Sequence, residues 1–151
     1  MAIKVRPAHA EDRGEVTRML RAFVDYLNAI EASEEQVDLD HLIDQGFGPA
    51  PVCKILIAER DGLAVGYVSY HPGIWEIYRA IYVVSLFVRP EARGTGAGRG
   101  LMEAVRSVAR DEQAKRVVWE VWRKNPLAID FYKGIGAEVF DDNLRMSLVV
   151  D

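Results

Sequence analysis

The spacing of apolar residues changes period several times along this chain, and each change predicts an element. Near the start, "AIKVRPA" reads as a short strand. Val16, Met19, Leu20, Phe23, Val24 and Leu27 then follow the i, i+3, i+4, i+7 rule of one helical face, behind an acidic start that suits the helix dipole. A shorter helix around Leu39, Leu42 and Ile43 ends at "QGFGPAP", whose glycines and prolines cannot continue it. The runs "CKILIAER" and "LAVGYVSY" are joined by Asp61-Gly62, a hairpin turn because both residues tolerate positive φ. "IYVVSLFV" is a third strand of the same meander, β-branched enough to be buried on both faces.

Downstream, Leu101, Ala104, Val105, Val108 and Ala109 mark a second amphipathic helix, "RVVWEVW" reads as a strand, and Asn125-Pro126 caps and opens a further helix. "KGIGAEVF" and "RMSLVV" are expected to close the chain as a hairpin-like pair. The order β, α, α, β meander, α, β, α, β, β predicts an α/β (α+β) arrangement with a mixed sheet.

With 151 residues, half of them apolar, the chain has material for one core, and a single domain over residues 1–151 is expected. The formal net charge of −4, with no basic tail, argues against a nucleic-acid partner, whose non-specific affinity comes from neutralising phosphates with Lys and Arg. The opening "MAIKVRPAHAEDR" lacks the apolar core of a secretory signal, and the longest strongly apolar run, "AIYVVSLFV", is too short to cross a bilayer. A soluble cytoplasmic protein with no membrane partner is the expectation. Cys53 is the single cysteine, so no internal disulfide can form, and it reads as a small strand residue. His9, His41 and His71 are scattered without metal-site spacing, so no metal is expected.

Within "VRPEARGTGAGRG", glycine occupies every second position from Gly94 to Gly100, at the junction of a buried strand and a helix. Free N–H groups and the positive end of the helix dipole favour an anion there, and phosphate is the expected ligand. A P-loop would need a Gly-Lys pair followed by Ser or Thr, which is missing. A dinucleotide fingerprint would need GxGxxG, but Gly94, Gly96 and Gly98 are each two apart, with Arg99 and Leu101 where its third glycine would fall. Glu120, roughly 20 residues on, mimics that fingerprint's acidic ribose ligand, yet such a fold should open with βαβ units rather than an antiparallel meander. A turn that merely tightens the passage from strand to helix would explain one or two glycines, not four.

Arg93-Gly94-Thr95-Gly96-Ala97-Gly98 matches the R/Q-x-x-G-x-G/A motif of the GNAT superfamily of N-acetyltransferases, and "NPLAIDFYKGIGAEV" resembles that family's later asparagine, helix, tyrosine and glycine segment. "EEQVDLDHLIDQGFG", "SYHP" and "IYVVSLFVRPEARGTGAG" are similar to the diamine and polyamine N-acetyltransferases, among them the spermidine/spermine type. The resemblance spans nearly the whole chain. It implies the GNAT fold: a mixed, mostly antiparallel seven-stranded sheet, flanked by about four helices and splayed at the fourth and fifth strands. It further implies acetyl-coenzyme A as cosubstrate, direct transfer of acetyl to the primary amine of a small molecule, and a homodimer.

The same resemblance assigns residues. Backbone N–H groups of Arg93, Gly94, Thr95, Gly96, Ala97, Gly98 and Arg99 would hold the pyrophosphate, while backbone groups of Leu86, Phe87 and Val88, at a bulge in the fourth strand, would contact the pantetheine and acetyl carbonyl. Asn125 would serve both as helix N-cap and as a partner of the pantetheine arm. Acyl transfer from a thioester to an amine needs a neutral amine, a stabilised oxygen and a protonated leaving thiolate. Tyr132 is implied as the general acid for the last of these. Read from "IDFYKG" alone, it would be an ordinary amphipathic core residue with a wet tip.

On the acceptor side the sequence departs from the branch it resembles. Val84 and Ser85 stand where the polyamine enzymes carry a Glu-Asp pair, and His71 replaces the aspartate before the family's proline. A buried polycation needs several carboxylates to replace its hydration. Glu31 falls where the family has a substrate-contacting glutamate, with Glu34 and Glu35 close behind, although a solvated charged face explains the latter two equally well. Glu76 is a further candidate, because "HPGIWEIYRAIY" is longer than the family segment and could fold a side chain over the pocket. Trp75 and Tyr78 would then be aromatic walls, or else packing or dimer contacts. Glu120 is another candidate base. The expected acceptor is therefore a small primary amine with one cationic centre rather than spermidine. Two alternatives stay open: a non-catalytic module that binds acetyl-coenzyme A, and a protein acetyltransferase acting on an N-terminus or lysine.

Overall fold

The computed structural model describes residues 2–32 and 36–150. The chain packs as two compact units, one ending at Glu120 and one beginning at Val121. The first holds β1 (Lys4–Pro7), α1 (Arg13–Ile30), α2 (Leu39–Phe47), β2 (Lys54–Arg60), β3 (Leu63–Trp75), β4 (Tyr78–Val88), α3 (Ala97–Asp111) and β5 (Arg116–Val118). The second holds α4 (Pro126–Gly134).

The sheet runs β1-β2-β3-β4-β5, antiparallel up to β4 and parallel between β4 and β5, the connection through α3 being long enough to permit the parallel pair. Asp61 and Gly62 form the expected turn, with φ of 55 and 77, between the paired residues Arg60 and Leu63. On one face of the sheet, Val16 and Met19 of α1 and Ile43 of α2 are buried with Ile57, Tyr67 and Phe87. Phe87 meets Phe23 edge-on, with ring centroids 6.1 Å apart. On the other face α3 buries Leu101, Met102 and Val105. Arg6 pins the entry to α1: its guanidinium donates twice to Asp12, both at 2.8 Å, and its Nε donates to Glu59 at 2.6 Å. That fork holds the Asp12 carboxyl down at about 2, below the usual carboxylate range.

Val84 is a bulge. Ser69 faces Ser85 and Tyr70 faces Val83, so β4 carries one residue more than β3. β5 pairs with β4 only at Ala80, Ile81 and Tyr82. Past the bulge, β4 keeps β3 on one edge and has no described strand on the other. This is the expected splay between the fourth and fifth strands.

Two expectations need correction. The sheet has five strands among the described residues rather than seven: "RVVWEVW" is laddered only at Arg116–Val118, and residues 137–150 of the second unit hold no helix or strand. An alternating apolar run becomes a strand only where a neighbour supplies ladder hydrogen bonds, and residues 137–150 belong to no ladder among the described residues. The segment "HPGIWEIYRAIY", expected as an insertion between the strands "LAVGYVSY" and "IYVVSLFV", is for the most part an extension of those strands. It prolongs β3 and β4 as a ladder as far as Trp75 and Tyr78, turning at Glu76, whose φ is 55. Among the described residues, no helix is long and apolar enough to cross a membrane.

Gly66 lies in β3 opposite Val88, and a Cβ there would sit 2.8 Å from the Phe87 carbonyl oxygen and 3.2 Å from Val88 Cγ2. Gly66→Ala should therefore push the strands apart where the splayed edge begins, lowering stability by about 1–3 kcal/mol in urea unfolding.

Candidate active site

In the first unit, most of the residues singled out by sequence fall on one continuous path. Val84 is the bulge residue, with its side chain about half exposed, and Leu86, Phe87 and Val88 follow it along the splayed edge. After Val88 the chain makes a 3-10 turn over Pro90–Ala92 and enters the glycine loop. Arg89 ties this passage down, with Nη2 2.6 Å from Glu15 of α1 and Nε donating to the Ala64 carbonyl at 3.2 Å. Arg93 donates from Nε to the Val88 carbonyl at 3.2 Å and lies over the Tyr26 ring, 5.6 Å from its centroid.

The loop's geometry suits an anion. Gly94 and Gly96 have φ of 77 and 90, a region that side chains with a Cβ rarely adopt. At both positions a Cβ would meet nothing within 4 Å, so the space above the backbone is open. Thr95 turns its hydroxyl inward to the Ala92 carbonyl. Ala97 is buried and begins α3, and Gly100 N–H makes the first helical bond, to the Gly96 carbonyl at 2.9 Å. No side chain caps this helix and no acidic residue occupies its first turn. The N–H groups of Ala97 and Gly98 therefore lack intrahelical acceptors at the positive end of a helix. These residues fit the pyrophosphate of acetyl-coenzyme A.

Ser85 lies in a cluster that sequence reading did not anticipate. Its hydroxyl is 2.9 Å from Ser69 Oγ and donates to the Tyr67 hydroxyl at 3.1 Å. Tyr67 is 2% exposed, and burial pushes its phenol up to about 12, so the cluster is neutral around pH 7. Only the strand register, which sets Ser69 opposite Ser85, could have revealed it.

The carboxylates are dispersed. Glu31 closes α1 on the exposed surface, its backbone N–H bonded to the Leu27 carbonyl. Glu120 is exposed just after β5. Glu76 is at the hairpin tip, about 20 Å along β4 from the bulge. Glu34 and Glu35 lie outside the described residues. Among the described residues, no group of three or more His, Cys, Asp or Glu could hold a metal ion.

In the second unit, Asn125 is buried and caps α4, its Oδ1 accepting from Ala128 N–H at 3.3 Å, with Pro126 in the first turn. Tyr132 meets Phe131 edge-on, with centroids 5.4 Å apart. Burial raises its phenol to about 12.

The glycines of the loop are separable by substitution. Gly96→Ala should cost about 1–2 kcal/mol through its left-handed backbone alone. Gly100, in the helix, has its nearest neighbour, Val5 Cγ2, 3.6 Å from a built Cβ, so Gly100→Ala should be neutral or stabilising by up to about 1 kcal/mol. Urea unfolding of both variants checks the contrast.

Residues 16–137 match the model of the Acetyltransferase (GNAT) family, a span that crosses the division between the two units. The thialysine N-epsilon-acetyltransferase of Bos taurus is 30% identical over 149 residues, covering 90% of this chain and 84% of that protein. The peptidyl-lysine N-acetyltransferase YjaB of Escherichia coli (strain K12) is 27% identical over 139 residues, covering 92% of this chain and 84% of that protein. The crystal structure of a possible acetyltransferase from Clostridium difficile 630 superposes with a TM-score of 0.80 at 16% identity, covering 100% of both chains, which bears on the fold alone. With a family match over most of its length and a bulged, splayed sheet leading into an uncapped glycine-rich helix start, the chain belongs to the GNAT family of acetyltransferases.

Proposed function

We propose that this acyltransferase moves an acetyl group from acetyl-coenzyme A directly to the primary amine of a small, amino-acid-like molecule of low net positive charge rather than to a polyamine. The observation that carries the reading is the path from Val84 to Arg99, where a strand edge without a strand partner among the described residues leads through two positive-φ glycines into an uncapped helix. When bound, the coenzyme supplies an acyl group activated as a thioester. Backbone N–H groups from Arg93 to Arg99 hold its pyrophosphate, and backbone groups of Leu86, Phe87 and Val88 stabilise the oxygen that gains charge. A fixed donor of that kind contributes about 3–4 kcal/mol in a site that excludes water. Tyr132 gives its hydroxyl proton to the departing sulfur. Its phenol, raised to about 12 by burial, stays protonated through the neutral range. Asn125 orients the start of α4 and partners the pantetheine arm.

The acceptor side argues against a polyamine. Val84 is apolar and Ser85 is engaged by neutral hydroxyls, so this part of β4 offers a polycation no carboxylate. The bovine relative is named for thialysine, an amino acid whose side chain ends in a primary amine, and this is the acceptor class we favour. A second reading, acetylation of lysine in proteins, is favoured by the name of the Escherichia coli relative. A cytoplasmic homodimer without metal, nucleic-acid or membrane partners belongs to the same proposal; the homodimer rests on the family resemblance, and the rest on the net charge, the histidine spacing and the shortness of the apolar runs.

Thiol release from acetyl-coenzyme A, measured with thialysine, lysine, a lysine-containing peptide, spermidine and spermine, tests the acceptor. Thialysine or lysine should be best; a preference for spermine or spermidine would refute the class, and a preference for the peptide would establish the second reading. Release with none of them would leave only a binding module. Tyr132→Phe should lower kcat by about 10²-fold or more while the Kd for acetyl-coenzyme A changes little. An equal loss in both, or no loss, removes Tyr132 from its role.

A further inference from the structure

An amine acceptor is an ammonium at neutral pH and must lose a proton before its nitrogen can attack. Glu31, Glu76 and Glu120 are exposed and lie just past the ends of three separate elements, α1, β3 and β5. His71 is placed differently. It follows Ser69 by two residues on β3, so it shares the sheet face of the hydroxyl cluster, and it pairs with Tyr82, two residues before the bulge. That is about 7 Å along the strand from Val84.

The imidazole is held in one tautomer. Its Nδ1 lies 3.0 Å from the Pro72 carbonyl oxygen. A carbonyl only accepts, so Nδ1 carries the proton and the neutral ring keeps its lone pair on Nε2. Among the described residues nothing hydrogen-bonds Nε2. The ring is also held in place. It stacks on Tyr82, with centroids 5.3 Å and planes 12° apart, and the Tyr82 hydroxyl donates to the Ile74 carbonyl at 3.0 Å. Gly73 makes that arrangement feasible, since a Cβ there would lie 2.8 Å from the Tyr82 ring.

We propose that His71 is the general base of the reaction, an inference that rests on the small-amine reading above. Nε2 takes the first proton from the acceptor ammonium, directly or through one water, and passes it to solvent. The neutral nitrogen then bonds to the acyl carbon as the carbon–sulfur bond breaks. Its second proton replaces the one that Tyr132 gives to sulfur, so the net products are an amide, a free thiol and one released proton. A base whose tautomer is set by a second hydrogen bond can do this; a stacking residue without a lone pair cannot.

Three variants, assayed with acetyl-coenzyme A and thialysine, test the assignment. His71→Phe keeps an aromatic ring on Tyr82 and removes the base; His71→Gln keeps a polar group; His71→Ala leaves room for added imidazole. Each should lower kcat by about 10²-fold or more with the KM for acetyl-coenzyme A little changed, and imidazole should restore a measurable part of the His71→Ala loss. Full activity in His71→Phe, a loss confined to KM, or failure of imidazole to rescue a variant that still binds acetyl-coenzyme A would overturn the proposal. So would a comparable kcat loss in Glu31→Gln or Glu120→Gln with His71→Phe unimpaired. If the parent chain releases no thiol with any amine, the small-amine reading fails first and the base falls with it; an active parent with unimpaired His71 variants overturns the base alone.

Discussion

Val84 is one residue more than β3 can pair, and what the sheet does beyond it follows from that surplus. From Ala80 to Tyr82, β4 is paired on both edges, by β3 and by β5. A bulge bends its strand and increases the local twist, so the two neighbours of β4 cannot both follow it. β3 does and β5 does not. An unpaired strand edge is normally a hazard for a protein, because its N–H and C=O groups invite another chain. Here the unpaired edge leads straight into the glycine loop, and strand edge and uncapped helix start form one stretch of backbone with hydrogen bonds to offer.

The bulge also decides which side chains meet. Adjacent residues on a regular strand face opposite sides, and residues three apart do as well. With Val84 as the surplus residue, Tyr82 and Ser85 come to the same face, opposite His71 and Ser69. The Ser69, Ser85 and Tyr67 hydroxyls and the His71–Tyr82 stack are therefore neighbours along one side of the sheet. Aligned as a linear motif, Val84 and Ser85 are merely two positions where carboxylates are missing. In three dimensions one is a half-exposed apolar bulge and the other joins a neutral, internally bonded cluster that stiffens the strand pair beneath it.

Local chemistry made much of this architecture legible. The Asp61-Gly62 turn, the α1 stripe ending on Val16 and Met19, and the Asn125 cap each depend on residues close in sequence, and each forms as read. The β3–β4 extension was not legible, because Pro72 and Gly73 are ordinary signs of a loop. The sheet explains their tolerance. β2 begins its pairing with β3 at Lys54 and Tyr70, so past Tyr70 that edge of β3 has no described strand, and a proline costs no ladder bond on an edge. Gly73 is needed for the room it leaves to Tyr82, a constraint set by the opposite strand. The expected strand pair "KGIGAEVF" and "RMSLVV" did not form: Lys133 and Gly134 close α4, and alternation in the remainder records that a segment could pair, saying nothing of whether a partner is in register.

The same distinction separates the two halves of the candidate site. A site built from backbone groups must exclude side chains and permit unusual φ, and only glycine does both, so Gly94 and Gly96 mark it in the sequence itself. Gly100 shows that the mark must still be checked, since it sits in the helix with ordinary space around it. A site built from side chains carries no such signature. Whether His71 meets Tyr82 depends on a strand register, on a glycine two residues away and on a one-residue bulge in the facing strand. A single insertion or deletion in β4 between Tyr82 and the bulge would take Tyr82 and Ser85 off their shared face while leaving the glycine loop intact. Donor recognition can therefore stay constant across a family while acceptor recognition diverges.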